Sequence, residues 1–375
     1  MSHPTSEMTM SSVIDPILSV EPIVLKIPFD DGGKGMGITP NRWNALDIVL
    51  LRVETQSGLV GWGEGFGYVC QQVTARAIKD MIAPFAIGKN SFDPVAVNQA
   101  AQLTFHLFGR FGVTMFAISA LDIALWDIKA KREGVSLGRL LGGRKRDAVR
   151  AYASLVRYGD ADLVRHFCTK AVQEGYHSIK LHEIEEGPIA AARTAAPDAE
   201  ITVDANCQID LARALAMAPF LKQSRIEWLE EPLFPPEHTQ GWAQLRAEGV
   251  KIAAGENFCT LEGFQPFLPF LDYVQPSVTK IGGITEFLRV SDAVHASGKR
   301  LAAHSPYFGP GYWASLQLAS AIEGFDLFEY LYVQPEAACG IDIPLPRNGM
   351  IAIPDRPGLG FEPDFSVIER YRVDP

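Results

Sequence analysis

The sequence predicts an α/β protein in which a barrel of parallel strands follows a portion of antiparallel strands and helices. From about residue 148 onward, eight apolar strand-like runs alternate with helical stretches. Such alternation indicates parallel strands that are joined by helices. Successive runs also end in a polar residue, which is the pattern of a barrel whose functional groups gather at one rim.

The portion before the barrel begins with strands and continues with helices. Residues 17–64 contain strand-like runs, interrupted by the polar, Gly-rich loop of residues 30–37 and by the turn QSG. The clearest helix is VTMFAISALDIALWDIKAKREG, in which apolar residues recur at helical spacing until Gly134 ends the run.

These patterns divide the chain into four segments. We expect a disordered tail, a first domain of strands and helices, the barrel, and a Pro- and Gly-rich segment that returns to the first domain. The segments span residues 1–16, 17–146, 147–335 and 336–375.

The composition suits a large protein and argues against several classes. With 375 residues, 47% of them hydrophobic, the chain is long enough for a barrel and a second domain. A net charge of −10 argues against nucleic acid as a partner. There is no apolar run long enough for a membrane helix, and the first residues lack the features of a signal peptide. Five scattered cysteines indicate reduced thiols, so we expect a cytoplasmic protein.

Three acidic residues recur at an even interval. Asp204, Glu230 and Glu256 are each 26 residues apart, a length that fits one strand, one helix and their loops. Because parallel barrel strands end at the same rim, these carboxylates are expected to converge there and to hold a hard cation such as Mg²⁺. Solvated or lysine-paired rim carboxylates are the alternative.

Lys180 and His182 lie two residues apart on the strand before Asp204. Side chains alternate along a strand, so both face the same side. An unperturbed histidine pKa near 6.5 suits a base at neutral pH. A packed or surface histidine with a solvated lysine neighbour is the alternative.

The motifs of this chain resemble the enolase superfamily and, within it, the mandelate racemase-like branch. In chain order they are LDIALWDIKAK, IKLH, VDAN, LEEP, GE, KIGGIT, AHS and PGLG. The resemblance implies an α+β capping domain over a modified TIM barrel, (β/α)₇β, with one Mg²⁺. It also implies abstraction of the proton α to a substrate carboxylate, which gives an enediolate.

The resemblance assigns roles to single residues. Lys180 would contact the substrate carboxylate, and His182 stands where this branch usually has a second lysine as the base. His304 corresponds to the histidine of a His-Asp dyad, but Ser277 replaces the aspartate. A hydroxyl orients an imidazole without stabilising its charged form, so we expect His304 to act as a general acid or neutral donor. Glu329 matches a glutamate that donates its proton to the substrate carboxylate, with a rim salt bridge as the alternative.

Several polar and aromatic residues are candidates for the contacts that select the substrate. The candidate substrate-binding residues are Asn206, Ser277, Lys34, Tyr68 and Tyr307, with Trp43, Phe66 and Trp313 as further candidates. Packing is an equal alternative for the residues of the first domain. Glu231 is expected to form a structural pair, and Lys280 is expected to be structural.

The predicted function is Mg²⁺-dependent removal of the proton α to the carboxylate of a sugar acid. Loss of a β-oxygen would follow, as dehydration or cycloisomerisation, in a lyase or isomerase. Missing the dyad aspartate disfavours a racemase or epimerase, which needs comparable bases on both faces. A metal-binding barrel with impaired catalysis is the second alternative. The expected partner is a small carboxylate, and we expect a homo-oligomer.

Overall fold

The computed structural model describes residues 14–35, 43–325 and 327–373. They form a cap of antiparallel strands and helices and a barrel of parallel strands, as the sequence predicts. No helix in this described part is both long and apolar enough to cross a membrane. All five cysteines are free thiols, in agreement with the sequence analysis.

Three antiparallel strands form the centre of the cap. In chain order they are β1 (Ile17–Asp30), β2 (Ala45–Thr55) and β3 (Val60–Gly65). Adjacent strands pair along most of their length, with Val24 opposite Val49. Both faces of the sheet are covered, because Ile23 and Leu25 of β1 belong to one core with barrel residues and Val24 belongs to a second core with the cap helices.

Five helices follow in the cap. They are α1 (Gln71–Ala77), α2 (Ala83–Ala86), α3 (Pro94–Thr104), α4 (Val113–Arg132) and α5 (Leu137–Leu140), with a π-helical turn at Ile78–Ile82 and a 3₁₀ turn at His106–Phe108. The longest, α4, is the helix that the sequence predicts. It is buried on most sides because it lies between the cap sheet and the barrel helices.

The barrel consists of eight parallel strands. They are β4 (Ala148–Ser154), β5 (Ser178–Leu181), β6 (Glu200–Asp204), β7 (Ile226–Glu230), β8 (Ile252–Ala254), β9 (Tyr273–Val274), β10 (Arg300–Leu301) and β11 (Leu327–Leu331). The spatial order is β10-β9-β8-β7-β6-β5-β4-β11, so the strands from β4 to β10 follow their order in the chain, and the eighth strand pairs with the first.

Seven helices connect these strands, which gives the predicted (β/α)₇β order. They are α6 (Ala161–Gln173), α7 (Glu186–Ala195), α8 (Leu211–Gln223), α9 (Thr239–Ala247), α10 (Thr260–Phe264), α11 (Gly283–Ala296) and α12 (Pro310–Ala321), with a 3₁₀ turn at Leu268–Phe270. Asp160 and Asp210 accept backbone N–H bonds at the starts of α6 and α8, which satisfies donors that a helix leaves free.

The C-terminal segment contacts both units. It contains β13 (Met350–Ala352), α13 (Phe365–Tyr371) and β14 (Arg372–Val373), and β12 (Gln334–Pro335) lies just before it. Both β12 and β14 pair with β1 of the cap. In contrast to the expectation, β13 pairs with the barrel strand β4.

The expected N-terminal tail falls partly within the folded cap. Residues 1–13 lie outside the described residues. Asp15, however, is buried and accepts hydrogen bonds from the backbone N–H and the hydroxyl of Ser57, at 2.9 and 2.7 Å. The folded chain therefore begins before Ile17.

A buried carboxylate joins the cap to the barrel. Glu64 in β3 accepts a hydrogen bond at 2.7 Å from the backbone N–H of Gly311, in the first turn of α12. A Cβ atom at Gly309 or Gly311 would lie 2.6 or 2.9 Å from Glu64 Oε2, so glycine permits this approach. Burial raises the pKa of Glu64 to about 8 although these N–H groups oppose the shift.

The contact between β3 and α4 depends on glycine in the same way. A Cβ atom at Gly63 would lie 1.9 Å from the carbonyl oxygen of Ala120. We expect Gly63→Ala to lower the free energy of unfolding by about 2 kcal/mol, because strand or helix must shift. Urea denaturation measures the change. Gly187→Ala in α7 is the matched control, because a Cβ there meets open space, and an equal loss in both variants would contradict the close-packing argument.

Glu64 should make stability depend on pH. Its folded pKa is raised above the unfolded value, so the folded state keeps a proton that the unfolded state releases above about pH 4.5. Stability is therefore lost as pH rises toward about 8. Relative to the parent, Glu64→Gln should gain stability across that window, by up to about 1.4 kcal/mol per pH unit. Urea denaturation of both proteins at pH 5, 6.5 and 8 tests this, and a constant difference would refute it.

Candidate active site

The three evenly spaced acidic residues meet at the barrel rim. Asp204 ends β6, Glu230 ends β7, and Glu256 follows β8. One carboxylate oxygen from each lies within 4.8 Å of the others. This all-oxygen set fits a hard divalent cation. Asp204 Oδ2 supports the fit, because it is buried and accepts no well-aligned hydrogen bond in the described part of the chain.

Lys180 lies among buried carboxylates. Its Nζ is 2.5 Å from Glu230 Oε1, 3.0 Å from Asp204 Oδ2 and 3.2 Å from Glu329 Oε1. Burial by itself lowers the pKa of Lys180, but these negative charges outweigh it and hold the pKa well above its usual range. Lys180 therefore carries a positive charge into the site and is poorly suited to act as a base.

The acidic groups respond differently to this environment. Burial raises the pKa of Glu230 well above its usual range. Burial also opposes ionisation of Asp204 and Glu256, but the charge of Lys180 lowers the pKa of Asp204 and the charge of Lys280 lowers that of Glu256. Positive charge at the rim thus keeps two of the three carboxylates ionised.

His182 is buried with a defined orientation. Its Nδ1 lies 2.5 Å from the carbonyl oxygen of Leu155, an acceptor, so Nδ1 donates and the neutral ring keeps its lone pair on Nε2. Nε2 lies 3.4 Å from Asp204 Oδ2. Arg157 donates to the carbonyl oxygen of His182 at 2.7 Å, which fixes the backbone here. Nε2 therefore faces the acidic cluster, where it can accept a proton when the ring is neutral.

His304 approaches the cluster at a different carboxylate. Its Nε2 lies 2.9 Å from Glu256 Oε2. Its Nδ1 lies 3.1 Å from Ser277 Oγ, the contact that the sequence analysis anticipates, and 3.2 Å from the hydroxyl of Tyr307. The Ser277 and Tyr307 hydroxyls also contact one another. Two neutral hydroxyls therefore orient this imidazole where the resemblance implies one aspartate.

Glu329 accepts hydrogen bonds from the hydroxyl of Ser154 at 2.8 Å and from the backbone N–H of Ser305 at 3.2 Å. Burial opposes its ionisation, but the charge of Lys180 lowers its pKa below the usual range. These surroundings favour an ionised Glu329, in contrast to the protonated donor that the resemblance implies.

A cavity of about 130 Å³ lies between the cap and the barrel rim. On the barrel side it is lined by Asn206, Glu256, His304 and Tyr307, and on the cap side by Trp43, Phe66 and Tyr68. The cavity therefore contains one metal-ligand candidate, one catalytic candidate and most of the residues that the sequence analysis connects with the substrate.

Two predicted substrate contacts lie elsewhere. Lys34 is exposed and pairs with Asp160 at 3.2 Å, outside the cavity, because the loop after β1 runs over the start of α6. Trp313 is buried and packs edge-on against Phe361. The last part of the Gly-rich loop, residues 36 and 37, lies outside the described residues.

Glu231 does not form the expected structural pair. It accepts from the backbone N–H of Gly255 at 3.1 Å and contacts the thiol of Cys207 at 3.7 Å, and no cation is among these described partners. Burial and the charge of Glu256 raise the pKa of Glu231 to about 8. The strand turns at this residue, where φ is 40°, so the carboxylate points toward Gly255.

The cavity contains three charged residues that the sequence does not identify as functional. Lys280 lines the cavity above the ring of Phe66, with Nζ 4.0 Å from Glu256 Oε1, and so is not merely structural. Asp47 and Glu64 line it from the cap. The available signal was a charged residue inside each apolar strand, ALDIVLL and VGWGEG, but the sequence does not show which cap face covers the barrel.

The comparisons with known proteins cover nearly the whole chain. The family described as mandelate racemase/muconate lactonizing enzyme, N-terminal domain, matches residues 24–142, and the enolase C-terminal domain-like family matches residues 163–367. D-galactarolactone cycloisomerase of Agrobacterium fabrum is 30% identical over 87% of this chain and 92% of its own. D-galactonate dehydratase of Ralstonia nicotianae is 31% identical, over 90% and 93%.

Solved structures show the same fold. The crystal structure of the 3,6-anhydro-D-galactonate cycloisomerase from Zobellia galactanivorans has a TM-score of 0.85 and 26% identity, with 96% of this chain and 100% of that chain covered. The putative mandelate racemase from Bordetella bronchiseptica RB50 has a TM-score of 0.87 and 29% identity, over 96% and 95%. The chain therefore belongs to the mandelate racemase/muconate lactonizing enzyme family of the enolase superfamily.

Proposed function

We propose that this protein is an enzyme that removes the proton α to the carboxylate of a sugar acid and then expels a β-oxygen, by dehydration or cycloisomerisation. The observation that carries the proposal is the placement of two imidazoles, His182 and His304, at different carboxylates of one acidic cluster. Relatives described as sugar acid dehydratases and cycloisomerases support the same reaction class.

Asp204, Glu230 and Glu256 would hold Mg²⁺, which when bound polarises the substrate carboxylate and stabilises negative charge as it develops. Mg²⁺ is our proposal for the ion because all three ligands are carboxylates and the site adjoins a cavity that admits substrate. Turnover at about 10 per second requires a total barrier near 16 kcal/mol, so this stabilisation is essential for a weakly acidic α-proton.

The ammonium of Lys180 would bind the substrate carboxylate, since its raised pKa keeps it charged. His182 would take the α-proton on Nε2 while Nδ1 continues to donate to Leu155. His304 would then deliver a proton to the leaving oxygen. Ser277 and Tyr307 orient His304 through its Nδ1.

Two other functions are compatible with parts of the site. A racemase or epimerase needs bases of similar strength on both faces, and the hydroxyl partners of His304 do not supply that balance. A metal-binding barrel without catalysis would explain Ser277, but it leaves the fixed lone pair of His182 without a purpose.

The compartment, the ligand class and the oligomeric state of the protein are also proposals. We propose a cytoplasmic protein that binds a small carboxylate and not nucleic acid, which is supported by five free thiols and a net charge of −10. We also propose a homo-oligomer. Exposed apolar side chains near the end of α3 support it, including Leu103, Leu107 and Phe108.

The metal assignment predicts weaker Mg²⁺ binding in Glu256→Gln. Removing one of three charged ligands should weaken binding at least about tenfold, as measured by titration calorimetry. Glu262→Gln is the matched control, because Glu262 pairs with Arg289 and Arg110 outside the cluster. Equal Mg²⁺ affinity in the parent and Glu256→Gln would show that the site is misassigned.

The two imidazoles should fail at different steps. In D₂O, His182→Asn should reduce exchange of the C2 proton of a sugar acid by about 10²-fold or more, because the base is lost. His304→Asn should stop product formation while C2 exchange continues. Proton NMR with a panel of sugar acids follows both signals. C2 exchange at the parental rate in His182→Asn would show that another residue is the base. Rapid inversion at C2 by the parent would show that the enzyme is a racemase.

A further inference from the structure

The cavity wall contains polar atoms that this chain does not satisfy. Trp43 Nε1 and Asp47 Oδ1 on the cap, and Asn206 Oδ1 on the barrel rim, are buried and have no hydrogen-bond partner within the described part of the chain. Leaving such an atom unpaired costs about 1–3 kcal/mol, and folded proteins pair nearly all of them. Their common location in one cavity indicates that a bound molecule is their partner.

The donor or acceptor character of these three atoms limits which molecule can satisfy them. An indole N–H only donates, whereas a carboxylate oxygen and an amide oxygen only accept. A hydroxyl group both donates and accepts, so a row of hydroxyls can satisfy Trp43, Asp47 and Asn206 together. A carboxylate only accepts and cannot satisfy Asp47 or the oxygen of Asn206.

The charges of the cavity wall also favour a molecule whose far end is neutral. Lys280 is the only lysine or arginine among the described lining residues, and it lies at the metal end, with Nζ 4.0 Å from Glu256 Oε1. Lys26, opposite Asp47 in the β1–β2 ladder, is exposed and does not line the cavity. The cap side therefore presents the carboxylate of Asp47 with no lysine or arginine beside it among the described lining residues. Glu64 adds no charge near neutral pH, because burial raises its pKa to about 8. A second carboxylate there would be desolvated and uncompensated.

We propose that the cavity selects sugar acids with a single carboxylate and a neutral, hydroxyl-bearing far end, and that Asp47 is the residue that disfavours diacids. The substrate carboxylate would bind at Lys180 and the acidic cluster. The far hydroxyls would lie against Trp43 and Asp47 on the cap. This inference rests on the proposed function and adds the substrate class.

The test compares acids that differ only at the far end. D-galactonate and galactarate form one pair, and D-gluconate and D-glucarate form another, each a hydroxymethyl group against a carboxylate. With the Mg²⁺-loaded parent, kcat/KM from C2 exchange in D₂O should be at least about tenfold higher for the monoacid of a productive pair. A diacid that equals or exceeds its monoacid would overturn the inference while leaving the proposed function intact.

Calorimetric dissociation constants for the same pairs keep the two hypotheses separate. If no acid exchanges its C2 proton, the proposed function fails on this panel. The ratio of monoacid to diacid affinity then decides the inference, with tighter binding of the diacid as the contradicting result.

Asp47→Asn should reduce the preference for the monoacid at least about fivefold, because it removes the negative charge and keeps the shape. Asp80→Asn is the matched control, since Asp80 is an exposed cap residue paired with Arg76 and should leave the preference unchanged. Thermal unfolding of both variants verifies folding. A preference that survives in folded Asp47→Asn would show that Asp47 does not set it.

Discussion

Buried negative charge at the barrel mouth is the constraint on which the site depends. Asp204, Glu230 and Glu329 are each at most 1% exposed, so water cannot stabilise their charges. An ionised carboxylate that is buried without a partner costs several kcal/mol, so such a group stays protonated instead. Lys180 Nζ lies within 3.2 Å of all three, and its charge lowers the pKa of Asp204 and of Glu329. Its position on β5, facing into the barrel, therefore makes it possible to gather candidate metal ligands where water is excluded.

Features that strand geometry determines could be predicted from the sequence. Equal spacing along parallel strands brings Asp204, Glu230 and Glu256 to one rim, because each strand begins at the level of its neighbour. Alternation along β5 predicts that Lys180 and His182 face the same cluster, and both do. These are local regularities, and they do not require knowledge of how the cap sits on the barrel.

Features that depend on packing between distant segments could not be predicted in this way. Lys34 meets Asp160, 126 residues away, and no periodicity links the two. The Tyr307 hydroxyl joins Ser277 and His304 because the loop after β10 folds back over β9, which strand spacing does not reveal. Asp47 enters the cavity only once the cap lies over the rim. The charge state of Glu329 could not be predicted from the sequence either, because its lowered pKa depends on three-dimensional proximity to Lys180.

The pairing of β1 has a consequence for the order in which the protein is completed on the ribosome. One edge of β1 pairs with β2 soon after both are made. Among the described strands, the other edge pairs with β12 and β14, at residues 334–335 and 372–373. At ordinary translation rates the whole barrel is synthesised in between, which takes on the order of tens of seconds. During that time the nascent cap presents an open strand edge, the feature through which chains pair with the wrong partner. The cap is therefore the first unit to begin folding and the last to be closed.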